Sequence, residues 1–303
     1  SSSKPDVLRG AGCRPGAPRV RPPPTRVCYM TAGEMIRVDG ISLHFGALKA
    51  AHDCSFGVQT GKITGIIGPN GAGKSTIFNV IAGALKPSHG RVHLDGEDVT
   101  GLPPYAMHAR GLLRTFQIAH EFYRMTVFEN LLAAAPGQVG ENLFHAFLRP
   151  ADVRAQEAEI RARAERVMHF LNLDHLADQL AGEISGGQKK LLELGRALMA
   201  EGKVILLDEI AAGVNRTLLK DISQRIQELN RGHGFTFCII EHDMDFIADI
   251  CDHVIVMAEG QVLTEGQMHE LRADERVIEA YFGGGKYMSA GTEPEAPGGG
   301  DAA

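Results

Sequence analysis

The stretch Gly68-Pro-Asn-Gly-Ala-Gly73-Lys74-Ser75 constrains this chain more than any other. It matches the pattern GxxxxGK[ST], which works only when a buried strand enters it and a helix leaves it. Both flanks are present: the apolar run Ile63–Ile67 precedes the loop, and a helical run, Thr76–Ile81, follows it. Glycines let successive backbone N–H groups curl around phosphate oxygens, and the helix N-terminus adds its dipole. Lys74 supplies a cation for the outer phosphates and the Ser75 hydroxyl a ligand for Mg²⁺. Asn70, Gly71, Ala72, Gly73 and Thr76 complete the candidate nucleotide-binding set. Kinases, GTPases, helicases and other ATPases share such loops, so the loop alone leaves the reaction open. No N-K-x-D string is present to read guanine.

The rest of the core pattern alternates strands with helices, which predicts an α/β fold around a largely parallel sheet. Ile63–Ile67, Val204–Leu207 and Phe235–Ile240 are continuously apolar, as strands buried on both faces are. Ile36–Val38 and Ile41–Phe45 alternate with period two and predict two half-buried antiparallel strands. Over 153–171, Ile160, Ala164, Val167 and Leu171 form a helical stripe, with Glu157–Arg161 and Glu159–Arg163 spaced to pair. The segment 118–195 reads as a helical subdomain inserted into the α/β core. Residues 1–33 are rich in Pro and Arg, and 284–303 in Gly, Pro and Glu; both are expected to be disordered.

A net charge of −6 and a pI near 6.1 argue against a nucleic-acid partner, which would favour a basic face. No apolar run reaches the roughly 18 residues of a membrane-spanning helix, so a link to a membrane would run through partner proteins. The five cysteines show no metal or disulfide spacing, and Cys54 and Cys238 read as small core residues in a reducing setting.

Ligands in open α/β sheets bind beyond the carboxyl ends of the strands. Val204–Leu207 runs into Asp208-Glu209, Phe235–Ile240 into Glu241-His242, and the stretch from Leu112 to Phe116 into Gln117. Alone, each is an ordinary post-strand polar residue. Together they share the edge where the phosphate loop must lie, and paired carboxylates there suit metal support and polarisation of an attacking water. Ile184-Ser185-Gly186-Gly187-Gln188 precedes another helical run, Lys189–Met199. Seen alone, Ser185 is an ordinary N-cap. The free N–H groups beside it also make a second anion site, and a chain with one phosphate loop has no second nucleotide to offer. A nucleotide held by another subunit is the better explanation.

The ordered set GPNGAGKST (68–76), Gln117, ISGGQ (184–188), VILLDE (204–209) and His242 resembles the nucleotide-binding domain of ATP-binding cassette proteins over about residues 34–283. The resemblance implies a P-loop NTPase (RecA-like) core with a small antiparallel β subdomain and an inserted α-helical subdomain. It also implies a head-to-tail dimer with a second ATPase subunit, sandwiching two ATP molecules. Lys74, Ser75 and Asp208 then serve phosphate and Mg²⁺, Glu209 is the general base and His242 the γ-phosphate contact. Gln117 senses Mg²⁺ and the transmembrane partner, Phe45 stacks on adenine, and Ser185, Gly186, Gly187 and Gln188 act in trans. Three departures stand out: Ile184 for the usual Leu, Ile210 for Pro, and Asn215 where a carboxylate is common.

HDMDFI (242–247), AAGVN (211–215), RVIEAYFGG (276–284) and the long segment 134–165 resemble the ATPase subunits of branched-chain amino acid importers. Urea or amide importers and lipopolysaccharide-export ATPases remain alternatives, as does a non-transport cassette ATPase. Transmembrane permeases and, indirectly, a substrate-binding protein are the implied partners. The implied place is peripheral, on the cytoplasmic face of the inner membrane.

Overall fold

The computed structural model describes residues 33–46, 48–115, 121–138 and 150–282. The terminal extensions expected at 1–33 and 284–303 therefore lie almost wholly outside the described residues, and Gln117 lies outside them too.

The described chain begins with strands β1 (Glu34–Phe45), β2 (Leu48–Gln59) and β3 (Ile63–Ile67), then helix α1 (Lys74–Ile81). It continues through β4 (His89–Leu94), β5 (Glu97–Asp98), α2 (Pro104–Ala109) and β6 (Leu112–Arg114). Helices α3 (Val127–Ala133), α4 (Pro150–Phe170) and α5 (Gly186–Met199) follow. The second half runs β7 (Val204–Asp208), α6 (Arg216–His233), β8 (Thr236–Ile240), α7 (Met244–Ile250), β9 (His253–Ala258) and β10 (Gln261–Gly266). Helices α8 (Met268–Leu271) and α9 (Glu275–Phe282) end it.

These strands make two sheets. The larger has the order β10-β9-β3-β8-β7-β6, parallel throughout except for β10 on its edge. Alternation along each central strand shows why the apolar runs are continuous. Ile205, Leu207, Phe237, Ile239, Val254 and Val256 enter the core shared with the helices. Val204, Leu206, Cys238, Ile240, Ile255 and Met257 enter a second core under the smaller sheet. Both faces are covered, so the central strands are almost wholly apolar between their ends, with buried Thr64 of β3 the small polar exception among the described residues. Cys54 and Cys238 are fully buried, as their apolar neighbours imply.

The smaller sheet, β2-β1-β4-β5, is antiparallel. The two strands expected over 36–45 are one bent strand, with a register shift between Val38 and Ile41. Gly40 lies in that shift at φ +58° and donates its N–H to Ser55 Oγ at 2.8 Å. A bulge of this kind bends a strand without ending it.

Helices α3, α4 and α5 pack together through the expected segment. Gly195 lets α5 approach its neighbours closely: a Cβ there would stand 2.9 Å from both Leu131 Cδ2 and Leu171 Cδ1, so those leucine side chains would have to shift. Ala164 and Leu171 of the expected stripe are buried, while Ile160 and Val167 are partly covered. The charges on α4 find other partners than their own helix. Arg163 pairs with Glu201 and donates to the Leu198 carbonyl at 2.7 Å, and Arg161 lies over the Phe128 ring. These contacts reach other elements instead of the neighbouring turn of the same helix.

Candidate functional site

The loop after β3 is shaped by backbone contacts. Gly68 has φ +152°, and a Cβ there would sit 2.1 Å from the Met257 carbonyl oxygen, so only glycine fits. Gly73 caps α1 without a side-chain hydrogen bond, which leaves the first-turn N–H groups to a ligand. Lys74 opens that helix and is buried, with Nζ donating to the Gly68 carbonyl at 2.7 Å and the Pro69 carbonyl at 3.0 Å. Burial lowers its pKa, and the Glu209 and Asp208 carboxylates oppose that shift. Lys74, Asp208 and Glu209 therefore share one electrostatic neighbourhood. Asn70, Gly71 and Ser75 are exposed, Thr76 half-buried and Ala72 buried.

Parallel register brings the strand ends to this edge. Asp208 pairs in register with Ile240, and Glu209 donates its N–H to the Ile240 carbonyl at 3.0 Å. Glu209 occupies the left-handed region at φ +49°, rare for a side chain of this size and typical of functional turns. Its Oε1 lies 3.1 Å from His242 Nε2, so the expected carboxylate and histidine touch. Thr115 continues the edge by donating its N–H to the Leu206 carbonyl.

Two further residues hold this edge and were not singled out by sequence. Arg114 pairs with Asp208, as described below. Glu241 is buried, and its two oxygens accept from the Ala211 N–H at 2.6 Å and the His242 N–H at 3.2 Å. It thus ties the turn after β7 to the turn after β8. Its position beside His242 was visible in the sequence, but its burial was not.

Burial pushes the Glu241 carboxyl above its ordinary range, while the Ala211 and His242 amides pull it back. With the folded pKa above the unfolded one, the folded state holds the extra proton between the two values. That contribution is full below the unfolded pKa and is lost as pH rises through the folded one. Glu241→Gln is expected to flatten this decline, by at most about 1.4 kcal/mol per pH unit. Thermal midpoints of both proteins across the acidic range check it; equal slopes would rule it out.

Ser185 caps α5 in a reciprocal box: its Oγ accepts from the Gln188 N–H at 3.4 Å, and Gln188 Oε1 accepts from the Ser185 N–H at 2.8 Å. Ser185 and Gly186 are exposed, Gly187 is buried and Gln188 half-buried. Among the described hydrogen bonds and ion pairs, none joins these four residues to the phosphate loop. Ile184 is buried with the helices, Ile210 joins the same core, and Asn215 caps α6 by accepting from the Leu218 N–H at 2.9 Å. Asn215 thus performs the capping that a carboxylate would.

Phe45 ends β1 half-exposed, opposite the exposed Leu48. A cleft of about 660 Å³ borders the loop, lined by Pro69 to Ala72 and by Gln261, Arg276 and Glu279 among others; Phe45 is not in its lining. Near the helices, Phe122 and Tyr123 are exposed under Arg196 and Arg124. Buried Asn130 fixes that turn, accepting from the Phe122 N–H and donating to the Phe122 and Thr126 carbonyls. Beside it a groove of about 390 Å³ is lined by His108, Leu113, Ala134, Pro136 and Arg196 among others.

Residues 51–212 match the family model described as ABC transporter. The chain belongs to the ABC transporter ATP-binding family. Residues 261–287, spanning β10 to the C-terminal helices, match the model described as branched-chain amino acid ATP-binding cassette transporter. The chain is 42% identical over 257 residues to the probable branched-chain amino acid transport ATP-binding protein LivG of Methanocaldococcus jannaschii, covering 82% of this chain and 98% of that one. It is 40% identical over 250 residues to the Archaeoglobus fulgidus protein of that name, covering 82% and 96%. A solved nucleotide-free ATP-binding cassette from an ABC transporter superposes with a TM-score of 0.70 at 39% identity, over 82% of this chain and 98% of that one. The P-loop NTPase fold expected from the sequence is the fold of this family.

Proposed function

We propose that this chain is the ATP-hydrolysing subunit of an importer of branched-chain amino acids, acting as a dimer on the cytoplasmic face beneath transmembrane permeases. The observation that carries the catalytic part is the contact between Glu209 and His242, beside Lys74 and Asp208 at one sheet edge. The substrate rests on the named relatives and on the match at 261–287. Among the described residues no helix is long and apolar enough to cross a membrane, which agrees with attachment through a partner. The exposed Phe122 and Tyr123 beside the groove under Arg196 offer that partner an aromatic surface.

In this reading the N–H groups of 70–76 and the Lys74 ammonium hold the phosphates of ATP. Glu209 orients a water and takes its proton as the water oxygen bonds to the γ-phosphorus. The bond from that phosphorus to the ADP oxygen breaks, leaving ADP and phosphate. His242, held by Glu209, contacts the γ-phosphate. Ser75 and Asp208 offer hard oxygen donors that fit Mg²⁺, which would neutralise phosphate charge when bound. Gln117 is assigned by sequence to sensing the metal and the permease. Phe45 is assigned to adenine, and Ser185 to Gln188 to the partner's nucleotide.

Reconstitution with its permeases and binding protein in liposomes tests the substrate. ATP-dependent uptake of labelled leucine is expected, outcompeted by isoleucine and valine; uptake of urea without leucine would overturn the assignment.

A further inference from the structure

Arg114 ends β6, and its guanidinium is committed on two sides. One nitrogen donates to Asn79 Oδ1 at 2.6 Å and another to Asp208 Oδ2 at 2.8 Å, with the plane over the Phe78 ring. Asn79 belongs to α1, the helix that starts at Lys74, so one side chain ties the phosphate-loop helix to the ends of β6 and β7. The Asp208 side chain is almost wholly buried. Its Oδ2 is taken by Arg114, while among the described residues no hydrogen bond reaches its Oδ1. An aspartate has a broad, roughly two-fold terminal torsion, and a guanidinium held at a second point removes that freedom.

We propose that Arg114 is a positioning residue for Asp208, committing one carboxylate oxygen so that the other is presented to the hydration shell of a nucleotide-bound divalent cation. This rests on the reading of Asp208 as metal-supporting. A purely structural ion pair would need only the charge. Arg114→Lys separates the two, because lysine keeps the charge and lacks the two-sided fork. Asn79→Ala separates them independently, freeing the guanidinium while leaving both charges.

The test is binding of a fluorescent ATP analogue to the full chain, titrated with Mg²⁺ after EDTA treatment. Circular dichroism confirms that each variant is folded. Arg114→Lys and Asn79→Ala are expected to raise the half-saturating Mg²⁺ concentration roughly tenfold, as loss of an outer-shell partner does. Nucleotide affinity without Mg²⁺ is expected to stay unchanged. If Arg114→Lys does not fold, Asn79→Ala decides alone. An unchanged Mg²⁺ requirement in the folded variants, with Asp208→Asn raising it, overturns the positioning role and leaves the metal role of Asp208 intact. If Asp208→Asn also leaves the requirement unchanged, the metal reading fails and the proposal with it.

Discussion

Glu209→Gln is expected to keep nucleotide binding, lose ATP turnover by about 10²- to 10⁴-fold, the range for removing a positioned general base, and accumulate an ATP-bound dimer. The substitution is nearly isosteric, so the turn at φ +49° and the Glu209 N–H bond to Ile240 remain available. What disappears is the ionisable carboxylate 3.1 Å from His242, the group proposed as the general base. Phosphate release measures turnover, and size-exclusion chromatography with ATP measures the dimer. Full hydrolysis by the variant would remove Glu209 from the mechanism and shift attention to Asp208 and Glu241 as the remaining carboxylates.

Ser185→Arg is expected to abolish hydrolysis while the isolated monomer binds nucleotide with unchanged affinity. The exposed N-terminus of α5 would then carry a bulky side chain where, in the proposed dimer, a partner's phosphates approach. Loss of the cap itself costs about 1 kcal/mol of stability, so a melting curve should precede the assay. Ser185→Ala supplies the control: it removes the cap without adding bulk, and is expected to retain much more activity than the arginine variant. Unchanged turnover by Ser185→Arg would end the argument that this helix serves a nucleotide held in trans.

The core of the fold was legible because its signals are local. Ile63–Ile67, the glycines of the loop and the helical run after it follow one another within twenty residues. The ends of the runs 112–116, 204–207 and 235–240 were placed on one edge by the rule that ligands bind beyond the carboxyl ends of parallel strands, and the observed strands end there at Arg114, Asp208 and Ile240. The expectation of two strands over 36–45 missed the bulge at Gly40, because period-two alternation cannot distinguish a bent strand from a broken one. The expected pairs on α4 gave way to Glu201 and Phe128, which come close only when the helices pack.

Arg114 and Glu241 show the limit more sharply. Arg114 reaches an aspartate 94 positions away, and Glu241 accepts from an amide 30 positions away. Nothing in the local pattern marks either side chain as buried. Ser185 shows the converse case: the sequence read it both as a cap and as an anion site, and the fold uses the cap within the chain.

By itself, then, the sequence determined which chemical groups lie at the carboxyl edge of the large sheet, where a phosphate is proposed to bind: a glycine-rich loop, one lysine, two carboxylates in tandem and a histidine. It could do so because each follows a strand whose apolar residues must be buried on both faces, leaving only the ends for polar work. The tertiary structure decided how those groups are held. Glu209 meets His242, Glu241 ties two turns, and Arg114 takes one oxygen of Asp208, because those contacts depend on sheet register and on burial that pairs residues far apart in the chain.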